Sequence, residues 1–117
     1  MVPSDVERIA TVEGIRAGTV VAFAKRGSEG TDELYVVAAI HPKARARAEA
    51  IEREIRQKIH VEFGVMPRDV LLVRPNRIPK TSSGKIQRAF CRTLYESGEL
   101  GRHRVLQEAS LKVPTRA

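Results

Sequence analysis

The run Ile78-Pro79-Lys80-Thr81-Ser82-Ser83-Gly84-Lys85-Ile86-Gln87-Arg88 concentrates the residue types that could do chemistry. Pro79 fixes its own φ and biases Ile78 to extended backbone, so a strand or extended arm ends here and a loop begins. Three hydroxyls, Thr81, Ser82 and Ser83, lead to Gly84, whose missing side chain permits positive φ or close approach of the backbone to a ligand. Lys85 follows at once, and from Ile86 the pattern turns helical. A lysine at a loop-to-helix junction can aim a mobile ammonium at an anion held elsewhere. An isolated Ser-Gly-Lys would more simply be an exposed polar turn that caps a helix, with its lysine as surface charge.

Three other chemistries fit less well. A phosphate-cradling P-loop needs Gly five residues before its second Gly and Ser or Thr after its Lys, where this chain has Pro79 and Ile86. His41, His60 and His103 are scattered, with no Cys or His at ligand spacing, so no metal site is expected. Cys91 lies inside the last predicted helix with no histidine close in sequence, which suits a partly buried structural thiol better than a nucleophile.

The elements that must position Lys85 follow from periodicity. Ser4 with Glu7 three residues on has the form of a capping box, and Val6, Ile9 and Ala10 continue at helical spacing towards Gly14. The apolar runs Thr19–Ala24 and Leu34–Ile40, separated by turn residues, predict an antiparallel hairpin. Ala44, Ala48, Ile51, Ile55, Ile59 and Phe63 make one face of a long amphipathic helix ending at Gly64, with Arg and Glu facing away in i,i+4 pairs. Val70–Val73 is a third strand, and Ile86, Phe90 and Leu94, with Ala89, form the apolar stripe of a last helix that stops near Gly98. A basic tail over 98–117 is expected to be partly disordered, with a possible helical turn within Leu100–Leu111. The sum is a small α+β domain, a roughly three-stranded, mainly antiparallel sheet with about three helices packed on it.

A chain of 117 residues, 42% hydrophobic, supports one core, and that core is aliphatic because Phe23, Phe63, Phe90, Tyr35 and Tyr95 are the only aromatics. No apolar run approaches the ~20 residues of a membrane helix. The start, Met-Val-Pro-Ser-Asp, lacks the regions of a secretory leader, so a cytoplasmic protein without a membrane span is expected. The lone Cys91 excludes an internal disulfide and agrees with a reducing compartment. A net charge of +7 predicts attraction to an anionic partner, whether nucleic acid, membrane surface, nucleotide or acidic carrier protein.

The eleven positions from Ile78 to Arg88 resemble the signature near the C-terminal end of the adenylate-forming enzymes, the superfamily of acyl-CoA synthetases, fatty acyl-AMP ligases and peptide-synthetase adenylation domains. Pro3-Ser4-Asp5-Val6-Glu7 resembles the segment just past that family's interdomain hinge, and the element order resembles its small C-terminal lid domain. Ser82-Ser83 and the continuation Arg88-Ala89-Phe90-Cys91-Arg92-Thr93-Leu94-Tyr95 look most like the fatty acyl-AMP ligases, which deliver an acyl group to a carrier protein.

The resemblance implies that residues 1–117 are a single lid domain, excised rather than naturally stand-alone, whose large N-terminal ATP- and acyl-binding domain lies outside these residues. It makes Lys85 the adenylation lysine. Pro79, Lys80, Thr81, Ser82, Ser83, Gly84 and Gln87 become the surrounding ATP and substrate loop, in which Pro79 and Gly84 set the path and the three hydroxyls cap the helix or bind backbone and phosphate oxygens. ATP and Mg2+ would be bound by the full-length enzyme and neither tightly by this fragment. The implied partners are the N-terminal domain and an acyl carrier protein or polyketide synthase carrier domain. Docking candidates are Lys43, Arg45, Arg47, Arg88 and Arg92, for each of which a solvated surface is an equally good reading. The same domain of a fatty-acid–CoA ligase is the nearest alternative. A basic nucleic-acid-binding module is the alternative from another class, but no aromatic stacking pattern accompanies the Lys and Arg residues, so nucleic acid is not the expected partner. A structural interaction module is a third.

Overall fold

The computed structural model describes residues 3–27 and 29–105. Its helices are α1 (Pro3–Ala10), α2 (Ala48–Phe63) and α3 (Arg88–Glu96), and its strands are β1 (Val21–Arg26), β2 (Asp32–Ala39) and β3 (Asp69–Val73). Three 3₁₀ turns, Pro42–Arg47, Pro75–Arg77 and Leu100–His103, complete the regular structure among the described residues.

The strands form one sheet in the order β1-β2-β3. β1 and β2 are antiparallel, from Val21 opposite Val37 to Arg26 opposite Asp32, as the hairpin pattern predicts. β2 and β3 are parallel, from Tyr35 opposite Asp69 to Ala39 opposite Val73, so one of the two ladders departs from the mainly antiparallel expectation. The cause is the connection. Parallel neighbours need a long crossover, and the 3₁₀ turn at Pro42 together with α2 supplies it.

Side chains alternate across the sheet and divide the core in two. Ala22, Leu34, Val36, Ala38, Val70 and Leu72 face a layer made by Val6 and Ala10 of α1 and by Ala48, Ile51, Ile55 and Ile59 of α2. Val21, Phe23, Tyr35, Val37, Leu71 and Val73 face the other layer, where Ile78, Cys91 and Leu100 are buried. β2 lies between two strands and between two layers, which is why Leu34–Ala39 is an unbroken run of buried residues. This double coverage also explains the hydrophobic share. A sheet coated on one side only would show alternation instead.

Boundaries shift where a side chain competes with the ladder. Thr19, predicted inside β1, is fully buried before it; its hydroxyl donates to Arg16 O at 2.5 Å and accepts the Ala39 N–H at 3.2 Å. α2 ends as predicted, with Gly64 at φ 74° and its N–H bonded to His60 O at 2.8 Å. The charges on its outer face are paired: Arg53 with Glu49, Arg56 with Glu52 and Lys58 with Glu54, at 3.9, 3.1 and 4.0 Å. Arg56 also donates to Pro67 O at 2.8 Å, tying α2 to the approach to β3.

The Ser4–Glu7 capping box does not form in the expected way. Ser4 lies inside α1, and the buried Glu7 carboxylate accepts the Ala22 N–H of β1 at 2.9 Å and the Arg88 guanidinium of α3. The apolar stripe of α3 is also corrected. Because the helix begins at Arg88, Ile86 precedes it, and the residues that turn inward are Cys91, Leu94 and Tyr95, while Phe90 is exposed. Residues expected to begin a tail belong to the core: Leu100 is buried and the Val105 N–H bonds to Leu72 O at 2.7 Å. The rest of that segment lies outside the described residues. Among the described residues no helix is long and apolar enough to cross a membrane.

Candidate functional site

The lysine loop is a short hairpin standing on the second core layer. Ile78 is buried in that layer and Ile86 packs against it, so both ends of the loop are anchored by apolar contact. Between them Lys80 pairs with Ile86 in an antiparallel bridge, the Thr81 N–H bonds to Lys85 O at 2.8 Å, and the Gln87 N–H bonds to Pro79 O at 2.9 Å. The Gly84 N–H closes the tip onto Thr81 O at 2.9 Å with Gly84 at φ 88°. A turn followed by a left-handed glycine is what three-residue hairpin loops require, and this accounts for a glycine directly before the lysine.

Of the two tasks expected of the hydroxyls, capping the helix is not seen and a bond to the backbone is. The Thr81 hydroxyl accepts the Lys85 N–H at 3.1 Å and shares a hydrogen bond with the Ser83 hydroxyl at 2.9 Å. Gln87 is the N-cap of α3 and its side chain makes no capping bond, so none of Thr81, Ser82 and Ser83 caps the helix. Thr81 instead fixes the backbone of Lys85 itself. Residues 80–85 are all exposed, and the Lys85 ammonium makes no ion pair or hydrogen bond among the described residues. Its side chain is free to reach outward while its main chain is held.

Behind the loop, α3 is fixed from two sides. Arg88 pairs with Glu7, and Arg92 bonds Glu96 at 3.1 Å while lying over the Phe23 ring, 5.1 Å from its centre. Phe23, Tyr35 and Tyr95 form a cluster with ring centres 5.4–5.6 Å apart, and the Tyr95 hydroxyl donates to Asp69 at 2.7 Å. Cys91 is fully buried beneath this helix, and burial pushes its thiol pKa up to about 11, so it is protonated and inert. Among the described residues no three His, Cys, Asp or Glu side chains converge in a way that could hold a metal ion.

The expected docking residues are not one patch. Arg88 and Arg92 belong to α3 and already have acidic partners, whereas Lys43, Arg45 and Arg47 lie on the 3₁₀ turn before α2. Of those three, Arg45 alone lines a cleft shared with Arg74, Arg77, Arg102, His103 and Arg104. Sequence reading missed this convergence and also the role of Glu7, whose partner Arg88 lies 81 positions away. The available signal was the density of arginines around Pro75 and near the chain end.

No protein-family model matches the chain. Over 106 residues it is 31% identical to the long-chain-fatty-acid–AMP ligase FadD28 of Mycobacterium tuberculosis, covering 86% of this chain and 18% of that protein. It is 35% identical, with the same coverage of each, to the putative fatty-acid–CoA ligase fadD25 of the same organism. Among solved structures, McyG A-PCP complexed with phenylalanyl-adenylate superposes with a TM-score of 0.76 at 26% identity, over 86% of this chain and 19% of that one. The fold and these likenesses together mark a small α+β domain of the adenylate-forming enzymes. The chain belongs to that family as one of its C-terminal domains, with fatty-acid–AMP and fatty-acid–CoA ligases among its relatives. It spans about 18% of the length of those two curated relatives.

Proposed function

We propose that this chain is the lid of an ATP-dependent ligase that activates a fatty acid as its acyl adenylate and passes it to the phosphopantetheine thiol of a carrier protein, and that Lys85 serves the first half-reaction. The observation that carries this reading is the presentation of Lys85, an unpaired ammonium on a hairpin whose backbone is tied at Pro79, Thr81 and Gln87. In that half-reaction a carboxylate oxygen attacks the α-phosphorus of ATP, the bond to pyrophosphate breaks, and acyl-AMP forms. Two anions approach while negative charge grows at the phosphate, so a cation between them lowers the barrier. A unit pair at 4 Å is worth ~4 kcal/mol at an effective dielectric of ~20.

The loop residues Pro79, Lys80, Thr81, Ser82, Ser83, Gly84 and Gln87 set the path of this lysine and, in Lys80 and the free Ser82 hydroxyl, offer further contacts to phosphate oxygens. Mg2+ would accompany ATP and be held by groups other than the described residues. The carrier thiol would approach a second face after the lid turns, with Lys43, Arg45 and Arg47 as the docking candidates that lack acidic partners among the described residues. McyG A-PCP, which joins an adenylation unit to a carrier unit, supports a partner of this kind. A coenzyme A acceptor is the second reading, supported by the 35% identity to fadD25.

The test is Lys85→Ala in the full-length enzyme. Acyl-adenylate formation is expected to fall while transfer from a preformed adenylate stays close to wild type, and equal loss of both overturns the assignment. Supplying holo-carrier protein or coenzyme A to the preformed adenylate separates the two acceptors.

A further inference from the structure

A second concentration of cations lies apart from the lysine hairpin. A cleft of ≈ 340 Å³ is lined by Arg45, Arg74, Arg77, Arg102, His103 and Arg104, and Lys85 is not among its lining residues. Part of this charge is compensated: Glu99 lies 3.4 Å from both Arg102 and His103, and Asp69 lies 3.0 Å from Arg104. Arg45, Arg74 and Arg77 have no acidic partner among the described residues.

Three guanidinium groups without acidic partners among the described residues, from two separate segments, line one cleft and give it a positive potential that attracts an anion. Both segments are short proline-started turns. Arg45 is on the 3₁₀ turn that starts at Pro42, and Arg74 and Arg77 flank Pro75 in a second such turn, closed by the Arg77 N–H to Arg74 O bond at 2.9 Å. Proline fixes φ at both turn starts, so the backbone from which these arginines project is set by the turns. Planar guanidinium forks match phosphate oxygens in pairs, and a concave site of this size is in the range used for small ligands. The outer face of α2, by contrast, carries neutralised pairs and offers no basic stripe for a nucleic-acid backbone.

We propose that this cleft is a binding site for the diphosphate or triphosphate group of a small molecule, separate from the lysine hairpin and independent of the reaction assigned to it. The test is calorimetric titration of the 117-residue chain at physiological ionic strength with inorganic pyrophosphate, ATP and AMP. Saturable binding of pyrophosphate or ATP, tighter than that of AMP, is expected. Equal affinity for pyrophosphate and ATP identifies a free diphosphate as sufficient, and tighter ATP binding identifies a nucleotide. Arg74→Ala with Arg77→Ala is expected to weaken binding about tenfold or more, equivalent to ~1.4 kcal/mol. Arg53→Ala with Lys58→Ala removes the same net charge outside the cleft and is expected to leave affinity within about twofold. Should the alanine pair fail to fold by circular dichroism, Arg74→Lys with Arg77→Lys keeps the charge and removes the forks, and most of the affinity is expected to go. Equal weakening by the two alanine pairs, full affinity in the lysine pair, or tighter binding of duplex DNA than of pyrophosphate overturns the proposal.

Discussion

The buried Glu7 carboxylate joins the first helix to the last: it accepts the outward-facing Ala22 N–H of the edge strand and the guanidinium of Arg88, the first residue of α3. Arg88 stands three positions after Lys85, so this pair fixes where the helix behind the lysine hairpin begins. It also covers a backbone donor that edge strands otherwise leave open.

Glu7→Ala leaves the Ala22 N–H without its acceptor and Arg88 without its partner, and is expected to destabilise the domain by about 1–3 kcal/mol. Glu7→Gln retains an acceptor but not the charge and should cost less. Arg88→Ala should also cost less than Glu7→Ala, since the Ala22 bond survives. Chemical denaturation of the three variants measures the order, and a larger loss for Arg88→Ala than for Glu7→Ala would show that the guanidinium, not the strand edge, dominates.

Lys85→Ala is expected to lower acyl-adenylate formation by roughly 10²–10³-fold in the full-length enzyme, measured as carboxylate-dependent pyrophosphate exchange. Lys85→Arg should rescue only part of this, because a broad planar fork does not replace a compact ammonium on a flexible stem. Both variants should keep wild-type thermal stability, since the side chain has no partner among the described residues.

Two glycines separate conformational strain from steric clash. Gly84 has φ 88° with open space where a Cβ would stand, so Gly84→Ala is expected to cost about 1–2 kcal/mol from backbone strain alone. Gly14 has φ 98°, and a Cβ there would meet Ile51 Cδ1 at 2.6 Å and Ala44 Cβ at 3.3 Å. Ile51 is 2% exposed and has little room to move, so Gly14→Ala should be the more damaging of the two by a further ~1–3 kcal/mol. Thermal melts rank them.

Cys91 should react with a thiol reagent only as fast as the domain unfolds, because the thiol is fully buried and protonated. Its folded pKa is raised from 9.0 to about 11, so the unfolded chain loses its thiol proton first as pH rises. The stability this contributes is complete below about 9 and is lost as pH climbs through about 11. In Cys91→Ala the decline of stability between those values should be shallower, which denaturation at a series of alkaline pH values would reveal.

Most elements were legible because their signals are local. The step of three and four from Ala48 to Ile59 marks α2, the positive φ of Gly64 ends it, and the apolar runs mark β1, β2 and β3 within two residues. The lysine loop was legible for the same reason, since Pro79, Gly84 and Lys85 act through their immediate neighbours, but its closure as a hairpin through Lys80 and Ile86, with the helix starting only at Arg88, was not. Local reading failed at α3, where spacing counted from Ile86 gave Phe90 an inward position. The helix starts two residues later, and Cys91 takes that place.

By itself, then, the sequence determined the apolar runs and the helix stripe of α2, the turn chemistry and the presence of a lysine directly after Gly84, because each depends on residue type and on spacing along one stretch of chain. The tertiary structure alone decided the parallel pairing of β2 with β3, the Glu7–Arg88 link and the meeting of Arg45 with Arg74 and Arg77. Each of these is a relation between segments far apart in sequence. It exists only after the crossover through α2 has fixed which backbone edges and side chains come together.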